Sequence, residues 1–146
     1  MNADLSILFE DNHLLAVDKP AGLLVQGDRS GDETLLDRAR EYLRIRYDKP
    51  GNVYLGLVHR LDRNVSGVVV LARTSKAASR LSRQFRENVP RKDYLAVVAG
   101  RPQGERGVLT AWLAARGDRR GVTLARSEPF ADAREGALEY EVLEVR

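Results

Sequence analysis

Val58-His59-Arg60-Leu61-Asp62-Arg63-Asn64-Val65-Ser66-Gly67-Val68-Val69-Val70-Leu71-Ala72 sets charged and polar residues directly ahead of an uninterrupted apolar run. Residues 68–71 are β-branched or leucine and follow Gly67, which predicts a short buried strand. A buried strand is a rigid platform, so the loop ahead of it can hold side chains at a fixed place in a cleft. Arg60 and Asp62 are two residues apart. In extended backbone they project to the same side. An arginine there favours the ionised carboxylate, and burial opposes it.

The rest of the composition narrows the class. A chain of 146 residues is one domain's worth, long enough for a sizeable core. With 43% hydrophobic and 31% charged residues it reads as soluble and globular. The formal net charge of +3 is a mild basic bias, compatible with nucleic acid but not diagnostic of it. Cysteine is absent, which excludes disulfides and thiolate metal sites. The early acids Asp4, Glu10 and Asp11 argue against a signal peptide. No apolar run approaches the roughly 18 residues of a membrane span. No membrane partner is expected; cysteine usage leaves the compartment open, with a cytoplasmic monomer as the expectation.

Working outward, 5–9 and 14–17 are apolar runs split by Glu10-Asp11-Asn12, the pattern of a hairpin. Lys19-Pro20-Ala21-Gly22 follows as a turn, where a lysine is ordinarily solvated. Asp32 is the expected cap of a helix over 33–47, with Leu35, Leu36, Ala39, Tyr42, Leu43 and Arg46 at helical spacing. After the buried strand, Thr74 or Ser75 opens a second helix to about residue 88, with Ala77, Leu81 and Phe85 as its inner stripe. Lys76, Arg80 and Arg83 form a separate basic stripe. Across 73–92 Glu87 is the only acid among seven basic residues, Arg73, Lys76, Arg80, Arg83, Arg86, Arg91 and Lys92. Most charged helix faces are merely solvated. This imbalance of sign exceeds what solubility needs and points to a phosphate-tracking surface. Residues 92–100 read as another strand, 108–113 and 122–125 as a hairpin around a turn at 116–121, and 137–145 as a last strand with one buried face. The fold class is α+β: a mixed, largely antiparallel sheet flanked by two helices.

His59-Arg60-Leu61-Asp62, then Ser66-Gly67 and an apolar strand, resembles the signature of the RluA-type pseudouridine synthases. Thr usually precedes the Ser-Gly pair in that family, and Val65 stands there instead. Lys19-Pro20-Ala21-Gly22-Leu23 after a strand resembles a recurrent early segment of these enzymes. Lys92 and Tyr94 match their second motif, a Lys and a Tyr one residue apart at a strand start. Taken alone, Tyr94 is a strand aromatic packed on a neighbour. Beside the Asp62 motif, the resemblance makes it an active-site residue.

The resemblance implies the pseudouridine synthase catalytic fold over 1–146, as a single domain truncated at its C-terminus. The family's third motif, with an arginine that pairs with the catalytic aspartate, is not in this sequence. A domain that stops mid-sheet leaves an unpaired edge, which favours a fragment over a reduced form. The resemblance also implies that Asp62 is catalytic and that Arg60, Tyr94, Lys19 and Lys92 contact substrate. The basic stripe of Lys76, Arg80 and Arg83 becomes the RNA-binding surface.

The implied reaction cuts the bond from ribose to uracil nitrogen, turns the base and rejoins it through carbon. It has no net oxidation or hydrolysis, so no cofactor and no metal are expected. A carboxylate in a closed pocket serves such chemistry as nucleophile or as general base, and the sequence leaves both open. Arg60 either contacts the flipped-out region of the RNA or pairs with Asp62. His59 is expected to brace the loop rather than transfer protons. The partner is RNA, ribosomal or transfer. The alternative is a non-catalytic RNA-binding module built on the same fold. A hydrolase with an aspartate nucleophile needs a second catalytic partner, and the other histidine, His13, lies on an early strand or turn.

Overall fold

In the computed structural model, which describes residues 5–115 and 123–145, the chain runs β1 (Ser6–Glu10), β2 (Leu14–Lys19), α1 (Leu35–Arg46), β3 (Gly56–Leu57), β4 (Gly67–Ala72), α2 (Ser75–Arg86), β5 (Arg106–Ala115), β6 (Thr123–Arg126) and β7 (Arg134–Glu141). It divides into two compact units, Met1–Asp93 and Tyr94–Arg146. Each has its own antiparallel sheet, ordered β1-β2-β4-β3 in the first and β6-β5-β7 in the second. The α+β class predicted from sequence is what forms, but the one mixed sheet expected is two antiparallel ones. The parallel element among the described residues is an isolated bridge between Leu24 and Thr34.

In the first unit β4 lies between β2 and β3. Leu15 pairs with Leu71 and Val17 with Val69, so all four share a face. On it α1 lays Leu35, Leu36, Ala39 and Leu43, and these side chains make the core. Helix α2 packs on the opposite face. There Gly56 pairs with Ala72, and a Cβ on Gly56 would stand 2.8 Å from the Cβ of Ala78. Only glycine permits that approach of helix to strand.

The β1–β2 turn is held by the Asp11 carboxylate, which accepts from the amides of His13 at 2.7 Å and Leu14 at 2.6 Å. At the end of β1, Glu10 ties the sheet to α1. Its carboxylate accepts from the hydroxyls of Tyr42 at 2.8 Å and Tyr47 at 2.5 Å, and pairs with Arg73 at 3.1 Å and Arg46 at 3.3 Å. Burial alone would raise the Glu10 pKa. The two hydroxyls and two arginines outweigh it and hold the pKa below the usual carboxylate value.

Helix α1 begins later than the sequence suggests. Its N-cap is Thr34, not Asp32: the Thr34 hydroxyl accepts from the Asp37 amide at 3.2 Å, and the Asp37 carboxylate accepts from the Thr34 amide at 3.1 Å. The amides of Leu35 and Leu36 donate to the carbonyls of Leu24 and Val25. The orphan donors of the first turn are thus met by a neighbouring segment, which fixes where the helix starts. Asp32 instead pairs with Arg63 at 2.9 Å.

In the second unit β5 runs between β6 and β7. The Tyr140 ring lies over Gly107, and Leu113 lies over Gly136. The buried face expected over 137–145 is only partly realised, since β7 ends at Glu141 and Leu138 stays exposed. The turn expected at 116–121, with Val122, lies outside the described residues. The strand expected at 92–100 does not form. Those residues make no ladder with any described strand, and Leu95 is 88% exposed. Strand propensity decides nothing where the backbone finds no partner.

Replacing Thr34 by Ala should lower unfolding stability by about 1 kcal/mol. Asp32→Ala should change it by less than about 0.5 kcal/mol, because it breaks only an exposed ion pair. Urea unfolding of the two variants measures both.

Candidate active site

Strand β3 ends at Leu57, and the chain then leaves the sheet. The Val70 N–H, on the central strand, donates to Nε2 of His59 at 2.9 Å. A side chain thus takes the hydrogen bond that a longer strand would have offered. Nε2 can accept only when it carries no proton, so the imidazole is neutral with its proton on Nδ1. Burial lowers the imidazole pKa below its ordinary 6.5, and the charge of Lys92 lowers it further. The ring stacks on Phe85 of α2, with centroids 4.6 Å apart and planes 15° from parallel. The expectation that His59 braces the loop matches this geometry.

Leu61 packs against the core beside Leu57. His59 and Leu61 therefore face inward. Arg60 and Asp62 between and beyond them are exposed. The salt bridge weighed for Arg60 and Asp62 is not formed: among the described residues no hydrogen bond or ion pair engages either charged group. The Asp62 carbonyl accepts from the Val65 N–H at 3.1 Å and closes the loop on itself. Gly67 returns the chain to β4 at φ +133°, a conformation that side chains disfavour, with Leu61 Cδ1 3.7 Å from where its Cβ would be.

Lys19 sits where the loop meets the turn after β2. Its ammonium donates to the carbonyls of Pro20 at 3.0 Å, Leu23 at 2.8 Å and Arg63 at 3.1 Å. The residue is 0% exposed. Burial lowers its pKa, and the nearby Asp62 carboxylate acts to raise it. Neither sequence reading of Lys19 matches this placement. It is not a solvated turn residue, and its three donors are already taken, which leaves none for an RNA phosphate. Three peptide oxygens around one ammonium explain why it can be buried at all.

Arg63 completes the attachment. Its carbonyl also accepts from the Gly22 N–H at 2.8 Å, and its guanidinium donates to the Gly22 carbonyl at 3.0 Å and to Asp32. By residue type Arg63 is one more charge on the loop. A backbone carbonyl is invisible to residue type, so nothing in the sequence marked it. Spacing puts Phe85 on the inner stripe of its helix but names no partner for it.

Lys76, Arg80 and Arg83 are exposed on α2. Ser79, Arg80, Arg83 and Arg86 line a hollow of about 300 Å³. Among the described residues none of these three arginines, nor Lys76, has an acidic partner. Lys92 is exposed and follows α2. Asp62 belongs to the first unit. Tyr94 is the first residue of the second and is 67% exposed.

Residues 13–146 match the sequence profile of the family described as RNA pseudouridylate synthase. The chain is 40% identical over 105 residues to the dual-specificity RNA pseudouridine synthase RluA of Escherichia coli, covering 72% of this chain and 45% of that protein. It is 39% identical over 108 residues to the ribosomal large subunit pseudouridine synthase D of Nitrosomonas europaea, covering 73% and 30%. It therefore spans less than half the length of these relatives. Among solved structures, human RNA pseudouridylate synthase domain containing 1 superposes with a TM-score of 0.71 at 22% identity, over 95% of this chain and 52% of that one. Human RNA pseudouridylate synthase domain containing 4 gives 0.67 at 21%, over 97% and 54%. These two likenesses are of fold.

Lys19→Met keeps the length of the side chain and removes the ammonium, stranding three carbonyls. We expect it to lower stability by about 2–3 kcal/mol. Urea unfolding reads the loss, and a change below about 0.5 kcal/mol would mean that the ammonium does not organise this loop.

Proposed function

Because the chain belongs to the RNA pseudouridylate synthase family, we propose that it is the part of an RNA uridine isomerase that carries the catalytic aspartate, Asp62. The observation behind this reading is the one-sidedness of the 58–66 loop. The His59 imidazole and the Arg63 carbonyl are engaged, and the Asp62 carboxylate is exposed without a hydrogen-bond partner among the described residues. A carboxylate held on a fixed loop and left chemically free is what glycosidic cleavage and rejoining requires. In the isomerisation the bond from ribose to N1 breaks and a bond to C5 forms. C5 gives up its proton and N1 gains one, so nothing is consumed.

The other residues take their roles from the same reading. A uridine must leave its stack, which costs a few kcal/mol. Tyr94 stacks on the extruded base and returns about 1–3 kcal/mol. Arg60, beside Asp62 on the exposed side, contacts the RNA from which the base has left. Lys92, Lys76, Arg80 and Arg83 follow the phosphate backbone. Lys19 acts through the loop and not on RNA. The two units belong to one catalytic domain, as a profile running through both suggests. Ribosomal and transfer RNA are the substrate classes, the protein acts as a monomer, and its compartment is the cytoplasm. No helix among the described residues is long and apolar enough to cross a membrane.

A non-catalytic RNA-binding module would use the same basic helix and form no product. Asp62→Asn separates the two on transcribed large-subunit ribosomal RNA and transfer RNA carrying 5-tritiated uridine. Tritium release should occur with the unaltered chain and vanish in the variant, while RNA affinity stays within about twofold. Release that survives in Asp62→Asn removes that residue from catalysis. Binding without release by the unaltered chain favours the module. Separately, Arg80→Gln with Arg83→Gln should reduce the slope of log affinity against log salt by about 1.5. An unchanged slope takes α2 off the RNA surface.

A further inference from the structure

The Asp62 loop and helix α2 share one direct contact whose geometry is specific. The imidazole of His59, three residues before Asp62, lies flat on the ring of Phe85 at 4.6 Å. The same imidazole accepts the Val70 N–H at 2.9 Å. One ring is therefore pinned twice, by its face to a helix and by its edge to the central strand. Phe85 lies two residues from Arg83 and one from Arg86, both on the exposed arginine side of α2.

We propose that Phe85 and His59 are positioning residues of the isomerisation, joining the arginine-bearing helix to the loop that presents Asp62. The proposal rests on the reading of Asp62 as catalytic and adds a physical route by which a helix that holds RNA sets the place of the carboxylate. The Phe85 face supports the imidazole without a charge. The Val70 N–H demands the neutral tautomer. Burial acts first on the imidazole, and the charge that bears on it is Lys92, from the segment after α2; Arg60 and Asp62, its neighbours along the loop, are exposed. The contacts made by α2 and β4, Phe85 and Val70, are uncharged. A proton on Nε2 would remove the acceptor and set two donors, N–H against N–H, at the edge of β4.

The direct readout is the Val65 amide, which closes the loop on the Asp62 carbonyl. In Phe85→Leu its hydrogen exchange should quicken about tenfold, while the Val17 and Val69 amides in the core keep their protection. Phe85→Tyr, which keeps a ring, should restore the slow exchange. Unchanged Val65 protection in Phe85→Leu overturns the proposal whatever turnover shows. So does loss of protection at Val17 and Val69 to the same degree, which would mean that Phe85 only holds the fold together.

Turnover on the tritiated transcripts gives a second, independent reading. At saturating RNA the single-turnover rate should fall about tenfold in Phe85→Leu with affinity kept within about twofold. The pH dependence has a sign. The folded imidazole has a lowered pKa, so it is neutral at neutral pH, and the rate should fall as pH drops below 6.5 through that lowered value. His59→Gln keeps an acceptor and cannot titrate, so this acid limb should vanish in it. An acid limb that persists unchanged in His59→Gln contradicts the role of the imidazole. Absence of release from the unaltered chain would instead defeat the catalytic reading, leaving the exchange experiment to decide the positioning.

Discussion

A buried ammonium with three peptide oxygens around it is the constraint on which this structure turns. Removed from water, Lys19 is tolerable only if each of its three donors is met. The chain meets them with carbonyls from residues 20, 23 and 63. Two of these come from the turn immediately after β2. The third comes from 44 residues away, from Arg63, the residue after Asp62 in its loop. The turn and the loop cannot separate without stranding a charge. The Gly22 N–H on the Arg63 carbonyl and the Arg63 guanidinium on the Gly22 carbonyl lie beside that attachment and reinforce it. The electrostatic bearing of Lys19 and Asp62 on each other adds a neighbouring negative charge to the same corner.

The rest of the loop follows from alternation. Once β3 stops at Leu57, His59 and Leu61 must point toward the sheet to find partners, and Arg60 and Asp62 then point away. The inward residues satisfy the backbone and the core. The outward ones are left exposed. A reactive side chain on an irregular segment is usually a mobile one. Here the irregular segment is held by a strand N–H, a helix aromatic, a core leucine and a buried lysine, so the loop shares the rigidity of the sheet below it. The helix that supplies the aromatic also carries exposed arginines, so basic charge and the Asp62 loop lie on one packed assembly within the first unit.

How much of this was readable from residues depended on whether the information was carried by side-chain type. The strand read at 68–71, the first hairpin and the apolar inner positions of α1 follow from apolar period and turn chemistry, and the structure has them, with β4 buried at Val69 and Leu71 but open at Val68. The shared exposure of Arg60 and Asp62 followed from their spacing. Other features were set by backbone groups with no letter of their own. Lys19 looked solvated because the three carbonyls that bury it are anonymous in a sequence. The helix cap moved from Asp32 to Thr34 because the carbonyls of Leu24 and Val25 fix where the first turn begins. Residues 92–100 have the composition of a strand, but a strand is a pairing, and no described strand pairs with them. The motif residues were recognisable by resemblance. What holds them in place was not.

The central claim is that the Asp62 loop is locked to the turn after β2, and the Gly22 amide reports on it most directly. This N–H donates to the Arg63 carbonyl, the same oxygen that receives the Lys19 ammonium. Native-state hydrogen exchange followed residue by residue should find Gly22 protected close to the level of the β4 amides, although it sits in a turn. Exchange of Gly22 at the rate of an open surface turn, with β4 still protected, would contradict the account.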